Sequence, residues 1–359
     1  MISVNSFKGL PFEHESFLIK EYDSFVTTCN YIKLFVTTSD VNYMLVHEND
    51  KLIDVLIYDI NGDTATCLNS LAYLDQKIFR SFANHLFDSF PSIKKIEYPS
   101  SYNNYTLNKS VLTLRSDDYV ISLPLTTDEY FQNLGSSTRS NIRKHKNKFL
   151  RDYPQANFIT KIGSEIEKGI VDKIIQLNFE RIKSKGEIPH SNHTHTNDFY
   201  KYSQYYGCVS YIEIDGLIVA GSIAFVLNKS IYSYFIAHDN NFSKYNAGQL
   251  GLIYLIQTSI EKGLSELHLL WGETDYKTRF LAKPRPMYSY IVYKTLSRHF
   301  ITSKIKEMFS LVLYQFKRSK LAKPLKRVLK KFQKKSFQEL SKLEYMFLIF
   351  SNSYLLFCL

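Results

Sequence analysis

The stretch from Ile212 to Phe280 limits what this 359-residue chain can fold into more than any other part of it. Ile212-Glu213-Ile214-Asp215-Gly216-Leu217-Ile218-Val219-Ala220-Gly221 reads as two strand halves meeting at an Asp-Gly turn, and Ile231 to Ala237 reads as a further strand. The loop His238 to Gly248 then opens into an apolar-periodic helix predicted from Gln249 to about Lys262. A short strand, Glu266 to Trp271, comes next, followed by the polar run Gly272-Glu273-Thr274-Asp275-Tyr276-Lys277-Thr278-Arg279-Phe280. The first turn of a helix carries free backbone N–H groups and the positive end of the helix dipole, and a glycine there lets a ligand come close. Gly248 therefore marks a position suited to a phosphate.

Three pieces of this stretch, in this order and spacing, resemble the acyltransferase domain of the GNAT superfamily. They are Asp215-Gly216 with Val219-Ala220-Gly221, Phe242-Ser243-Lys244-Tyr245 leading into Gly248-Gln249-Leu250, and Gly272 with Tyr276-Lys277. The resemblance is to the CelD-like and BioF-like acetyltransferase branch, related to the FemAB aminoacyltransferases, and extends more loosely from about Tyr43 to Tyr293. It implies an α/β (α+β) fold of two GNAT-like halves, each a mixed, mostly antiparallel sheet flanked by helices, plus a basic C-terminal helical tail. On that plan residues 1–120 are the N-terminal half, 121–300 the half carrying the donor site, and 301–359 the tail. The first half shows the same order of elements as the second. Strand-like Tyr43 to Val46 and Leu52 to Tyr58 flank a turn at Glu48-Asn49-Asp50, and an amphipathic helix from about Gln76 to Phe90 precedes a strand from Ile93 to Tyr98.

The activity implied is transfer of an acyl group from an acyl-coenzyme A cosubstrate to an amino group. The same resemblance points to an amine-bearing sugar or sugar-lipid acceptor in cell-surface polysaccharide biosynthesis. Such a transfer asks little of the protein, because the thioester is already activated: donor and acceptor are held in register, a proton is taken from the ammonium, and the developing oxyanion is stabilised. The chain accordingly shows no Gly-x-Ser-x-Gly elbow, Walker loop or dinucleotide fingerprint. Two alternatives stay open, a FemAB-like aminoacyl-tRNA-dependent transferase acting on a peptidoglycan precursor and a noncatalytic membrane-associated assembly factor for envelope polymers.

The donor pyrophosphate is assigned to Lys244 and the backbone N–H groups of Ala247, Gly248, Gln249 and Leu250. Glu273 and Asp275, just past a strand end, are candidates for the general base, with helix capping as the competing role. Tyr276 and Lys277 are placed to protonate the leaving thiolate or to fix a substrate anion, and Trp271 and Arg279 to bind substrate. The basic run Thr138 to Lys148 offers Arg139 and Arg143 to phosphates, or else forms a solvated helix face. A helix from Ile166 to Lys185 leads to a loop with His190, His193 and His195, read as lining the acceptor entrance. The spacing lacks a partner Cys or carboxylate placed on the same helix face, and a polar surface loop needs no metal, so no metal is expected.

Cys29, Cys67, Cys208 and Cys358 are scattered, without a Cys-x-x-Cys pair, which suits reduced thiols in a cytoplasm. The first 17 residues lack the pattern of a secretion signal, and no apolar run reaches the roughly 18 to 20 residues of a membrane-spanning helix. Residues 304–359 hold 13 Lys/Arg and three acidic residues, whereas the preceding 303 residues hold 32 basic and 31 acidic ones. With the body nearly neutral, no nucleic-acid partner is expected. The tail's excess charge lies on helical repeats, Ile305, Phe309, Val312, Leu313 and Phe316, then Leu325, Val328, Leu329 and Phe332, broken at Pro324. Residues 304–342 are therefore expected to make peripheral contact with an anionic membrane on its inner face. Full-length protein should float with anionic vesicles at low salt and be released at high salt, and a chain ending near Ser303 should not float; indifference of the full chain to such vesicles contradicts this reading.

Overall fold

The computed structural model describes residues 2–36, 40–104, 107–184, 186, 195–272, 275–305 and 307. Five strands form first: β1 (Ile2–Lys8), β2 (Val41–Glu48), β3 (Lys51–Asn61), β4 (Thr64–Cys67) and β5 (Lys95–Ser101). Helices α1 (Glu15–Tyr22) and α2 (Cys29–Phe35) precede β2, and α3 (Gln76–Ser89) joins β4 to β5. After β6 (Ser110–Ser122) come α4 (Thr127–Asn133), α5 (Ser136–Asp152), β7 (Asn157–Ile162), α6 (Lys168–Ser184) and α7 (Thr196–Tyr206). The chain continues through β8 (Gly207–Ile214), β9 (Leu217–Leu227), β10 (Ser230–His238), α8 (Ala247–Glu261), β11 (Glu266–His268), α9 (Asp275–Arg279) and β12 (Lys283–Tyr293).

All twelve strands join one sheet, in the order β1-β2-β3-β4-β5-β12-β6-β11-β10-β9-β8-β7. Every pairing is antiparallel except β4 with β5 and β10 with β11, and each of these two parallel pairs encloses a crossover helix, α3 or α8. This is the mixed, mostly antiparallel α/β architecture expected. The tight turns fall where the sequence placed them: Asn49 and Asp50 between β2 and β3, and Asp215 and Gly216 between β8 and β9, all have positive φ, as a two-residue hairpin requires.

The closing strands cross over. β6, which follows β5 in the chain, lies between β11 and β12, while β12, which follows β11, lies between β5 and β6. β12 begins Lys283-Pro284-Arg285-Pro286, an unusual start for a strand inside a sheet. Its register explains the tolerance: residues 283–287 pair only with β6, and pairing with β5 begins at Tyr288. Locally β12 is an edge, and the two prolines, two positions apart, turn their missing donors to the uncovered side.

Helices cover both faces of the second half. Gly221 of β9 faces Ile174 of α6, and its neighbour Ala220 meets Gly251 of α8, so α6 and α8 lie on opposite faces. On the α8 side, Ile121, Ala224, Ile231, Leu267, Leu252 and Ile256 share one core. On the α6 side, Phe25 from the N-terminal segment packs with Tyr202, Phe225 and Tyr232, tying the halves together. Where α7 ends, Gly207 has no room for a side chain, since a Cβ would lie 2.5 Å from the Ser203 carbonyl oxygen. Gly207→Ala should cost about 1–3 kcal/mol of unfolding free energy in urea titrations, and a neutral result would show that α7 shifts freely on β8.

Candidate active site

β10 and β11 pair over only three residues, Ser230–Glu266, Ile231–Leu267 and Tyr232–His268. β10 then continues to His238 on β9 alone, while the chain after β11 turns onto β6 through Leu269 N–H to Tyr119 O (2.7 Å) and Tyr119 N–H to Leu270 O (3.1 Å). A seam opens between the two strands. At its start β10 carries a bulge, an extra residue between Ser233 and Phe235 that disrupts the ladder at Tyr234. The Asn178 side-chain amide of α6 donates to Ile236 O at 3.1 Å, standing in for a strand neighbour farther along. In the first half β4 and β5 also pair over three residues, but there the following segment fills the seam. Leu71 N–H donates to Ser100 O, Tyr102 N–H to Ala72 O, and the buried Asn69 side chain bonds Ile57 N–H and Val55 O.

The helix N-termini differ in the same sense. Asp75 caps α3, its carboxylate accepting from the Lys77 and Ile78 N–H groups, so that end is occupied by the chain's own negative charge. α8 starts at Asn246, which is left-handed (φ 53°) and makes no side-chain cap. Of the four N–H groups assigned to the donor from sequence, those of Gln249 and Leu250 already donate to Asn246 O, at 2.8 and 3.1 Å. Those of Ala247 and Gly248 have no acceptor among the described residues. Gly248 has a packing reason as well: a Cβ would lie 2.7 Å from His238 Nδ1, so the missing side chain seats α8 on that ring. The Lys244 and Lys148 ammonium groups stand 5.0 and 5.3 Å from the centre of the Tyr245 ring, two residues before α8, and the Tyr245 hydroxyl donates to Asp152 at 3.0 Å. The α8 N-terminus thus leaves the N–H groups of buried Ala247 and half-buried Gly248 without an acceptor among the described residues, with two cations around the preceding Tyr245.

At the other wall of the seam, Lys277 differs from its expected role. Its buried ammonium donates to the carbonyl oxygens of Leu269 (2.9 Å), Leu270 (3.0 Å) and Trp271 (2.8 Å). All three protons are committed to holding the strand end, where Leu270 is left-handed (φ 55°), and burial pushes its pKa down to about 8. Lys277 shapes the site instead of protonating a thiolate. Arg139 is likewise structural, because its guanidinium caps α4 through the carbonyls of Phe131, Gln132 and Leu134 and is not offered to substrate. Arg143 lies exposed on α5. Trp271 is 52% exposed and meets Tyr234 edge-on at the mouth of the seam. Asp275 is exposed at the start of α9, with Arg279 one turn on, and the Tyr276 ring packs against the α8-side core. Glu273, His190 and His193 lie outside the described residues, and His195 stands beside Asp198 at the start of α7. Among the described residues no His/Cys/Asp/Glu group could hold a metal ion.

Sequence reasoning missed a buried charged web beside the last pair of the two strands. His268 Nδ1 meets Asp118 Oδ2 at 2.6 Å, its ring stacks on Tyr232 at 4.2 Å, and its Nε2 lies 3.3 Å from Glu266. Arg285 of β12 holds Glu266 with two hydrogen bonds, at 3.0 and 2.7 Å, and the Tyr102 hydroxyl donates to Asp118 at 2.9 Å. The web ties β6, β11 and β12 together where β6 and β12 cross over. One signal was legible, since Glu266 and His268 share a face of a strand whose intervening Leu267 faces the core. Despite burial, the two carboxylates raise the His268 pKa, while His268 and then Arg285 hold Glu266 down to about 2. A raised histidine pKa stabilises the fold fully below the ordinary histidine value and loses that contribution as pH rises through the folded value. The stability gap between wild type and His268→Gln should therefore narrow as pH rises above the ordinary histidine value in urea titrations; a gap independent of pH would contradict the raised pKa.

Residues 136–278 match the family model of the acetyltransferase (GNAT) domain. Among curated proteins no sequence matches the chain. The fold is similar to that of FemX, at TM-score 0.60 and 8% identity, over 80% of this chain and 97% of that one. It is also similar to a conserved protein of unknown function from Bacteroides thetaiotaomicron, at TM-score 0.54 and 11% identity, over 82% of this chain and all of that one. Residues 136–278 therefore carry an acetyltransferase domain of the GNAT type, set in a chain whose overall fold is of the kind seen in FemX.

Proposed function

We propose that the protein is an N-acyltransferase that takes its acyl group from acyl-coenzyme A and passes it to an amino group, in the setting suggested by its CelD-like resemblance an amino sugar of a cell-surface polysaccharide. The observation that carries the donor half of this reading is the contrast between the two crossover helices. α3 is capped by Asp75 and its seam is filled, whereas α8 has free N–H groups at Ala247 and Gly248, flanking Lys148 and Lys244, and an open seam beside it. The residues present fit a diphosphate at one end and an extended arm along β10. On this reading, residues 1–120 and 121–300 descend from one repeated unit, of which the second kept the donor site.

Coenzyme A supplies an activated thioester when bound. The chain's part is positional and electrostatic: the α8 N-terminus and the two lysines fix the phosphates, and β10 guides the thioester toward the bulge. There the bulge at Tyr234 is assigned to turn a backbone N–H toward the negative charge developing on the carbonyl oxygen. Lys277 keeps the facing strand end in shape, Trp271 lines the acceptor side, and Asp275 with Glu273 is assigned to receive the proton of the attacking ammonium.

Removing both flanking cations should weaken coenzyme A without disturbing the core. Lys148→Ala combined with Lys244→Ala should lower coenzyme A affinity about tenfold or more by calorimetric titration at low salt, with a smaller loss at high salt. Undiminished affinity in the folded double variant would remove the phosphates from the α8 N-terminus.

A further inference from the structure

Five aromatic rings form a closed circuit on the α6 face, beside the mouth of the seam. Phe25 meets Tyr31 at 5.3 Å between ring centres, Tyr31 meets Phe35 at 4.7 Å, and Phe35 meets Phe199 at 4.8 Å. Phe199 meets Tyr234 at 5.0 Å, and Tyr234 returns to Phe25 at 5.9 Å. Rings this close leave no room for a ligand between them, so together they make a floor. Trp271, which is 52% exposed, meets Tyr234 at 6.5 Å from the other wall of the seam. The floor is assembled from distant parts of the chain: Tyr31 and Phe35 lie one turn apart on α2, Phe199 is on α7, and Tyr234 is at the bulge of β10.

Packing alone accounts for the buried Phe25 and Phe199, but not for the hydroxyls of Tyr31 and Tyr234. Other tyrosines of this core spend theirs: Tyr202 donates to the Phe25 carbonyl, Tyr232 to the Asp23 carbonyl, Tyr206 to Glu15 and Tyr102 to Asp118. The half-buried Tyr31 and Tyr234 make no hydroxyl hydrogen bond among the described residues. Burial raises both phenol pKa values, the Tyr234 phenol adds to the effect on Tyr31, and no charged side chain shifts either. The floor thus offers ring surface and two uncharged hydroxyls.

We propose that this floor receives the acceptor, and that the acceptor is a hexosamine unit without acidic substituents, seated against Trp271 and bonded by the Tyr31 and Tyr234 hydroxyls. This deepens the acyltransferase reading given above and rests on it. A pyranose ring carries C–H groups on its faces, which stack on aromatic rings, and hydroxyls around its edge, which pair with phenols acting as donor or acceptor. An acceptor recognised through a carboxylate or a phosphate calls for a cation at the site, and none shifts either phenol. The α8 N-terminus lies on one face of the sheet and the floor on the other, so donor and acceptor approach the seam from opposite sides. Tyr234 serves at the meeting point, with its backbone in the bulge and its ring in the floor. The N-terminal segment, through Tyr31 and Phe35, becomes part of the site.

Trp271 is the single tryptophan of the chain, so its fluorescence reports on the floor without labelling. The test titrates the full chain with a glucosamine tetrasaccharide and, in parallel, with tetralysine, which has amines but no rings, and tetragalacturonate, which has acidic rings. The glucosamine tetrasaccharide should shift the Trp271 emission to the blue and protect it from acrylamide quenching, and the other two should do neither. Tyr31→Phe and Tyr234→Phe should each weaken the tetrasaccharide about three- to tenfold, as for one lost neutral hydrogen bond, with unliganded Tm and coenzyme A affinity unchanged. No protection by the glucosamine tetrasaccharide, equal protection by either control, or full affinity in both variants would overturn the assignment. A lowered Tm in both variants would also overturn it, by showing that the hydroxyls have structural partners. Absence of coenzyme A binding to wild type in calorimetric titration would overturn the acyl-coenzyme A reading itself, an outcome distinct from the failure of the floor.

Discussion

The brevity of the β10–β11 pairing governs the rest of this structure. Three residues of parallel ladder suffice to close the crossover around α8, and the separation that follows leaves β10 with one neighbour over half its length. A backbone so exposed inside a sheet carries unpaired donors and acceptors, which is costly unless something replaces the missing strand. The chain replaces it in part, with Asn178 at Ile236, and holds the departing strand end with the three hydrogen bonds of Lys277. On the proposed reading, what remains unfilled near the bulge is where the acyl donor lies.

The first half shows what the same geometry becomes when it is not kept open. Its parallel pair is equally short, but residues 68–72 turn into the gap, and Asp75 places a carboxylate on the helix end that would otherwise attract an anion. The first half is left as a packing partner: its N-terminal segment buries Phe25 in the second half, and Tyr102 reaches Asp118. The crossing of β6 and β12 joins β1–β5 to β7–β11 in one sheet, and the Arg285–Glu266–His268–Asp118 web sits at that join. Such a buried web is a poor source of net stability, but removing one member strands the others, so it favours a single register for the exchanged strands.

Local pattern showed in the sequence, and long-range commitments did not. Alternation with an Asp-Gly pair located the β8–β9 hairpin, and apolar periodicity located α3 to within a residue at each end, because these signals are set by neighbours in the chain. β12 escaped because Pro284 and Pro286 argue against a strand, and only its register with β6 and β5 makes them acceptable. Lys277 and Arg139 read as free cations, yet both spend their protons on carbonyls brought near by the fold. Gly248 was legible as necessary, though the structure gives it a second reason in His238.

On the proposed function, one donor site lies at the α8 end of an open seam, and the corresponding place beside α3 is closed. Hydrogen exchange measured by mass spectrometry on the full chain, with and without saturating coenzyme A, addresses both parts at once. Slowed exchange is expected in peptides covering residues 233–238 and 246–250, with no change in those covering residues 68–78. Protection around Asp75, or none in the β10 and α8 peptides while coenzyme A is bound, would contradict it.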